Sequence, residues 1–313
     1  MRRSSLDPGG ERRVSREGKI AVSPSFLFSQ FMGGLTTAMF LFLIASGLSL
    51  VFGVMRVINF AHGSFYMLGA YMAWQVVQWL HPLAGGFWLA VVCAAIGIGI
   101  LGALTELLFF RMLYGREELY QLLFTYALVL ILGDVAKFLW GTDQLSVSAP
   151  PALASGVPIF GTTQPLYSLF IIAIGPAIAF ALWLMLNRTG SGRMVRAAQM
   201  DREMLDALGA NVATIYTGMF TLSAFLAGLS GALVTPIQSI VPGMDVLIIV
   251  QAFIVVVIGG MGSLWGTFWG SVIYGQVLSF GILIFPGFSL FSVFTLMAVI
   301  LIVRPWGLFG RPL

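Results

Sequence analysis

The sequence predicts an all-α, polytopic membrane protein, and three observations carry that reading. Charged residues make up 9% of the 313, while 59% are hydrophobic. Charge is absent over four long stretches, 57–105, 144–187, 207–244 and 246–303. A bilayer span needs about 20 apolar residues, so most of these stretches have room for two. None alternates with the short period of an outer-membrane strand, and backbone in hydrocarbon must satisfy its own hydrogen bonds, which leaves helices as the expected solution. Eight or nine membrane segments are expected, near 27–54, 62–80, 85–110, 119–140, 167–187, 213–234, 247–264, 268–285 and 287–303.

The chain before them, 1–25, is rich in Arg, Ser and Gly and is expected to be a disordered basic tail. Two readings of it stand, a contact with anionic headgroups and a solvated extension. The apolar run that follows is far longer than the core of a cleaved signal peptide. Residues 26–313 form the expected transmembrane domain. The net charge of +4 comes largely from the tail and a few loops, so it does not point to nucleic acid.

Lys and Arg in short loops favour the cytoplasm. Arg111 and Arg116, then Arg188, Arg193, Arg196 and Arg202, and finally Arg304 and Arg311 alternate consistently as inside groups. The segment 141–166, with Pro150, Pro151, Pro158 and Pro165, is then an ordered external connection. Nine crossings would start the chain outside. The six basic residues among the first 19 favour an inside start and eight crossings with one re-entrant segment.

The energy source is narrowed by what the chain lacks. A P-loop needs Gly-Lys-Ser or Gly-Lys-Thr, whereas Lys19 precedes Ile20 and Lys137 precedes Phe138, and there is no third lysine. Ion-driven carriers place isolated carboxylates within spans. Glu106 has Arg111 nearby, and Asp134 stands three residues before Lys137, a spacing at which helix side chains meet. Both read as neutralised pairs that fix packing, with a proton relay as the alternative. Cys93, alone in an apolar run, is expected to be a buried small hydrophobe.

Three stretches break the apolar pattern. In 187–211, NRTGSGRMVRAAQMDREMLDALGAN, Ser191 is placed to cap a helix from about Arg193, and Gly209 to end it. Val195, Ala198, Leu205 and Leu208 fall near one face, leaving Arg196, Asp201, Glu203 and Asp206 for solvent or a partner. A docking element and an amphipathic connector on the headgroups both fit that pattern. The second stretch, 51–71, puts Asn59 and His62 at membrane depth, with Gly63 allowing a tight turn and Phe60 able to act as a wall. His62 reads either as a hydrogen-bonded packing residue or as a ligand group. A metal site has little support, because His81 is the only other histidine and no Cys or carboxylate cluster accompanies them. The third, 257–271, carries Gly259, Gly260, Gly262, Gly266 and Gly270, which suit a tight turn and close helix packing.

In order and spacing these stretches resemble the integral membrane permeases of bacterial ABC importers for branched-chain amino acids, in particular the smaller, LivH-type subunit. The resemblance is carried by GLSLVFGVMRVINFAHGSFYMLGAY at 47–71, GRMVRAAQMDREMLDALGANVATIY at 192–216, FIVVVIGGMGSLWGTFWGSVIYG at 253–275 and the RPWGLFG ending at 304–310. It extends from about Phe26 to the C-terminus. The resemblance implies a second homologous permease, two cytoplasmic ATPase subunits that bind and hydrolyse ATP, and an external, periplasmic solute-binding protein, all at the bacterial inner membrane. No cofactor and no enzymatic reaction are implied for this chain itself.

By the same resemblance the loop 188–212 couples to an ATPase through Arg196, Ala197, Asp201 and Gly209. Asn59, Phe60, His62 and Gly63 flank the translocation path, and Gly259, Gly260 and Gly262 lie near its mouth. Ala210 departs from the family, which often has a β-branched residue after that glycine. Close relatives of the family carry urea, short amides or other amino acids, which remain alternative substrates. A stand-alone channel or secondary carrier is the rival class.

Overall fold

The computed structural model describes residues 23–55, 57–80, 85–284, 287 and 289–310. In chain order the helices are α1 (Pro24–Met55), α2 (Ala61–Trp79), α3 (Gly86–Thr105), α4 (Arg111–Leu113), α5 (Glu118–Trp140), α6 (Leu166–Arg188), α7 (Gly190–Met200), α8 (Arg202–Ala207), α9 (Val212–Val234), α10 (Met244–Gly259), α11 (Leu264–Ile284) and α12 (Ser289–Val303). A π-helical turn, Glu106–Phe110, joins α3 to α4. Strands β1 (Gly156–Ile159) and β2 (Thr162–Pro165) form an antiparallel hairpin with Gly156 opposite Pro165. This hairpin is the one departure from all-helical architecture among the described elements.

Each of the nine expected segments coincides with a helix, although the one placed at 247–264 already stops at Gly259. The expected count of eight or nine spans is not confirmed. Five helices are long and apolar enough to cross a bilayer, or six if α10 and α11, bent by 117° at their break, form one span. The shortfall has a physical source: α2 is diluted by His62, Gln75 and Gln78, and α12 has only 15 residues.

Two ends of the bundle are defined by contacts. At one end the Phe28 ring lies 5.0 Å from that of Phe160 at the hairpin tip, so α1 starts beside the hairpin. The end of α5 meets the end of α2 there, with Trp140 Nε1 donating to Gln75 Oε1 at 3.1 Å. The segments that follow α5 and α9 are joined by paired backbone hydrogen bonds between Leu145 and Ile240. At the other end the last turn of α1 packs on α7 and on the α10–α11 turn. Arg111, Arg188, Arg193, Arg196, Arg202 and Arg304 gather at that second end, whereas Lys137, paired with Asp134, lies toward the first. The start of α1 therefore lies at the end opposite the basic loops. The basic tail lies outside the described residues except for its last three, of which Pro24 and Ser25 belong to α1.

A helix that is apolar on every side is buried either in protein or against lipid. α1 is such a helix, and it runs through the centre, against α9, α11, α6 and α10. Lipid is as apolar as leucine, so close packing rather than water exclusion must join the helices. Small residues supply that fit: a methyl group added at Gly69 would stand 2.6 Å from the Gly228 backbone, where α2 crosses α9. Outward faces of α3, α5 and α6 present Leu104, Leu123, Ile131, Phe138 and Phe180. Cys93 lies on this outer surface of α3 and is exposed, which corrects the expectation of a buried thiol.

Candidate functional site

α1 ends at Met55, and the chain resumes as helix only at Ala61. The returning segment brings His62 back to the level of Ile44, in the middle of α1. There His62 Nε2 lies 2.8 Å from the Ile44 carbonyl oxygen, and Nδ1 lies 3.3 Å from Ser223 Oγ on α9. A carbonyl only accepts, so Nε2 carries the hydrogen and neutral Nδ1 accepts from the Ser223 hydroxyl. Both ring nitrogens are engaged and the residue is 1% exposed, so His62 ties α1, α2 and α9 together. Gly63 is required by packing: a methyl group there would stand 2.5 Å from the Asp245 carbonyl of α10. Phe60 packs on Phe253, ring centroids 5.4 Å apart. Asn59 is buried, and its Oδ1 has no hydrogen-bond partner, which leaves an acceptor unsatisfied at depth.

The second break, Gly260–Ser263, reverses the chain between α10 and α11. Gly260 and Gly262 adopt φ of 101° and 80°, which only glycine reaches cheaply. Ser263 Oγ accepts from Gly266 N at 3.1 Å and caps α11. The last carbonyls of α10 would be orphaned, but the C-terminal segment covers them. Leu308 N donates to the Ile258 carbonyl at 2.9 Å, and Phe309 N to that of Gly259 at 3.0 Å. This accounts for the WGLFG portion of the C-terminal motif.

Between α2 and the start of α10 lies a cavity of about 230 Å³, lined by Tyr66, Gln238, Met244, Leu247, Ile248 and Gln251 among others. It sits toward the hairpin end, since Gln144 donates to Ser239 in its wall at 2.6 Å. Sequence reasoning missed a residue beside it. Asp245 is buried at 3% exposure in the first turn of α10 and accepts from Ser64 Oγ at 2.8 Å. The signal was available as the single charge separating two of the long uncharged stretches.

The charged island folds differently from expectation. Its first helix starts at Gly190 rather than near Arg193, and Thr189, not Ser191, is the cap, accepting from Gly192 N at 3.0 Å. The helix also breaks at Asp201, whose carboxylate accepts from Met204 N at 2.9 Å and caps α8. Arg196 is not left free: it donates to the Leu186 carbonyl and to Asn187 Oδ1, covering the end of α6. Gly209 does end the helix, with φ of 84°. Its N–H donates to Asp206, and Ala210 N donates to Leu205 in the reciprocal pattern of a glycine C-cap. Val195 and Ala198 are buried as that face predicts, whereas Leu208 is exposed. Ala197 is half-buried, and Met194, Met200 and Met204 face outward beside Arg193, Arg202 and Glu203.

α7 also touches the second break. A methyl group at Gly53 of α1 would stand 2.9 Å from both Gln199 Nε2 and Gly262 Cα. α7, the last turn of α1 and the α10–α11 turn thus meet at one point. Nearby, Glu106 is fully buried and neutralised. It accepts from Tyr114 Oη at 2.7 Å and from Thr217 Oγ1 at 2.6 Å, and lies 3.5 Å from Arg111 Nε. Burial, and then the bond to Glu106, raise the Tyr114 phenol far above its ordinary pKa, so it stays a donor. Asp134 and Lys137 pair at 3.0 Å. His81 lies outside the described residues, as do Lys19 and Arg311.

Residues 30–303 match the family described as branched-chain amino acid transport system / permease component. The chain belongs to that family. It is 28% identical over 296 residues to the high-affinity branched-chain amino acid transport system permease protein BraD of Pseudomonas aeruginosa, covering 90% of this chain and 95% of that one. It is 27% identical to the LivH permease of Salmonella typhimurium, over 93% of this chain and 98% of that one. The LivM permease of the same organism is 24% identical, over 92% of this chain and 72% of its own length. No solved structure matches. Members of the family are transport permeases rather than enzymes, and this one is a multi-pass membrane protein.

Proposed function

We propose that this chain is the permease subunit of an ATP-driven, binding-protein-dependent importer for branched-chain amino acids in a bacterial inner membrane. A homologous second permease completes the translocation path, two cytoplasmic ATPase subunits bind and hydrolyse ATP, and a periplasmic binding protein delivers the substrate. The likeness to both LivH and LivM permeases supports a pair of related chains. The basic end is then cytoplasmic and the hairpin end external.

The observation that carries the reading is the three-way contact of Gln199, Gly53 and Gly262. Docking of α7 and α8 on an ATPase, through Asp201, Gly209 and the exposed methionines, would have a packed route to the Gly259–Gly262 turn. ATP binding and hydrolysis then favour one access state over the other by differential contact with α7. Asn59, Phe60, His62 and Gly63 form the fixed side of the path in this scheme.

The test is uptake of radiolabelled leucine by proteoliposomes holding this chain with its co-purifying subunits, with and without internal ATP and binding protein. A requirement for both is expected. Uptake by this chain alone, without ATP, would instead establish a carrier or channel. ATP-dependent uptake of urea or a short amide in place of leucine would keep the architecture and change the substrate.

A further inference from the structure

The cavity between α2 and the start of α10 has no part in the coupling route just described. Its volume is about 230 Å³. A single water needs about 10–15 Å³, so a small solute has room. None of the residues that line it carries a formal charge. Gln238 and Ser239 stand on the side that faces the hairpin end, where Gln144 donates to Ser239. Gln251 lines it from the third turn of α10, and Val241, Leu247 and Ile248 supply apolar wall. Mostly apolar walls with a few polar groups are the usual make-up of a small-molecule site. Asp245 turns away to Ser64 and is not among the lining residues.

Gln251 is the group that calls for an explanation. α10 packs alongside Gly63, where a methyl group would stand 2.5 Å from the Asp245 carbonyl and 2.9 Å from Ile249 Cβ. His62, next to Gly63, is bonded to Ile44 inside α1, so Gln251, two residues beyond Ile249, lies within the bundle. The residue is half-buried, and among the described residues neither it nor Gln238 makes a side-chain hydrogen bond. An amide held at this depth without a protein partner is costly, and it persists where it meets water or a passing solute. Each glutamine offers two donors and an acceptor, which suits a solute that itself carries both. An uncharged lining supplies no counter-ion, so a solute with net charge would enter unpaired.

We propose that this cavity holds a small solute of no net charge on its way through, and that Gln251 is the residue that selects it. The Gln251 carbonyl accepts from the solute's donor, its NH2 donates to the solute's acceptor, and Val241, Leu247 and Ile248 contact the apolar part. A zwitterionic amino acid and a short amide share that chemistry. This inference rests on the importer reading and deepens it, because it gives the permease a selectivity of its own, against net charge.

The experiment uses the whole reconstituted complex. Leu247→Cys, at a position 71% exposed, reports on the cavity, with Cys93 replaced by Ala. Labelling of that thiol by an uncharged maleimide is timed with free leucine, acetamide or lysine at millimolar concentration, without ATP or binding protein. Leucine is expected to slow labelling several-fold, and lysine to leave it unchanged. Adding Gln251→Leu should abolish the protection, and Gln251→Asn, which keeps an amide, should retain part of it. With Leu247 and Cys93 intact, Gln251→Leu should lower leucine uptake by about tenfold, as for one lost charge-assisted hydrogen bond, while ATP hydrolysis stimulated by loaded binding protein persists. Protection by acetamide alone would support the uncharged site and assign the cargo to amides. Equal protection by lysine and leucine would overturn the selectivity. Protection that survives Gln251→Leu, or none from leucine and acetamide alike, would overturn the site. Wild-type uptake that needs neither ATP nor binding protein would sink the importer reading instead, and the labelling, run without either, decides the site independently.

Discussion

The two breaks in the helical pattern look alike in sequence, each rich in small and polar residues, yet they are held in opposite ways. The first, Asn59–Gly63, is fixed by a side chain, with His62 bonded to the backbone of α1 and to Ser223 of α9. The second, Gly260–Ser263, has the Ser263 side-chain cap of α11 and backbone caps from the C-terminal segment, but no side-chain clamp to another helix. Its neighbours are glycines, the C-terminal segment and Gln199 of α7. A side-chain clamp resists displacement because moving it strands buried donors and acceptors. A turn of glycines packed on another helix, with no side-chain clamp to the rest of the bundle, can move with that helix. In the proposed mechanism the first break is therefore the anchor and the second the moving part.

The largest effect is expected where the moving part is jammed. Gly53→Leu would force a side chain between Gln199 and Gly262, and uptake should fall by on the order of a hundredfold while the protein still inserts, as read by transport and by surface labelling. Normal uptake would break the comparison at once. Next is Asp201→Arg at the docking end, which should abolish most substrate-stimulated ATP hydrolysis. Asp201→Asn separates the two roles of this residue, since it keeps the cap of α8 and removes only the charge. If Asn restores stimulation, the cap is what matters; if it does not, the charge meets the ATPase.

His62→Ala tests the anchor. It removes the extra bond to the Ile44 carbonyl, which keeps its helical donor, and the bond to the Ser223 hydroxyl, and should cost about 1–3 kcal/mol, seen as a lower unfolding temperature in detergent. Uptake per folded molecule should fall less than in Gly53→Leu. The smallest effect belongs to Asn59→Leu. Removing a buried acceptor that has no partner is expected to leave stability unchanged or slightly raised. A drop in uptake at unchanged stability would then assign Asn59 to the path.

Much of the helical layout was legible because hydrocarbon imposes one rule: uncharged stretches must be helices, and glycines and prolines mark their ends. Gly209 could be read as a helix stop because few residues but glycine accept its φ. What depended on distant contacts was not legible. Nothing local tells that Arg196 turns back to the end of α6, or that Asp201 starts a new helix rather than decorating an old one. The exposure of Cys93 depends on which face of α3 meets α9, and α3 is too uniformly apolar for its own pattern to say. The side on which α1 starts was ambiguous because a basic tail and a span count pointed opposite ways. The Phe28–Phe160 contact shows only that α1 starts beside the hairpin. Asp245 could have been noticed, but its burial against Ser64 came only from the fold.

The most direct test of the anchored and moving halves is a pair of distance measurements in the assembled transporter. Spin labels are placed at exposed Met194, Met261 and Phe160, with Cys93 replaced because it is itself exposed. On cycling between ATP-bound and nucleotide-free states, the Met194–Met261 distance should stay constant while the Met261–Phe160 distance changes, since α7 and the turn shift together against the hairpin end. A change between Met194 and Met261 with Met261–Phe160 held fixed would contradict the account.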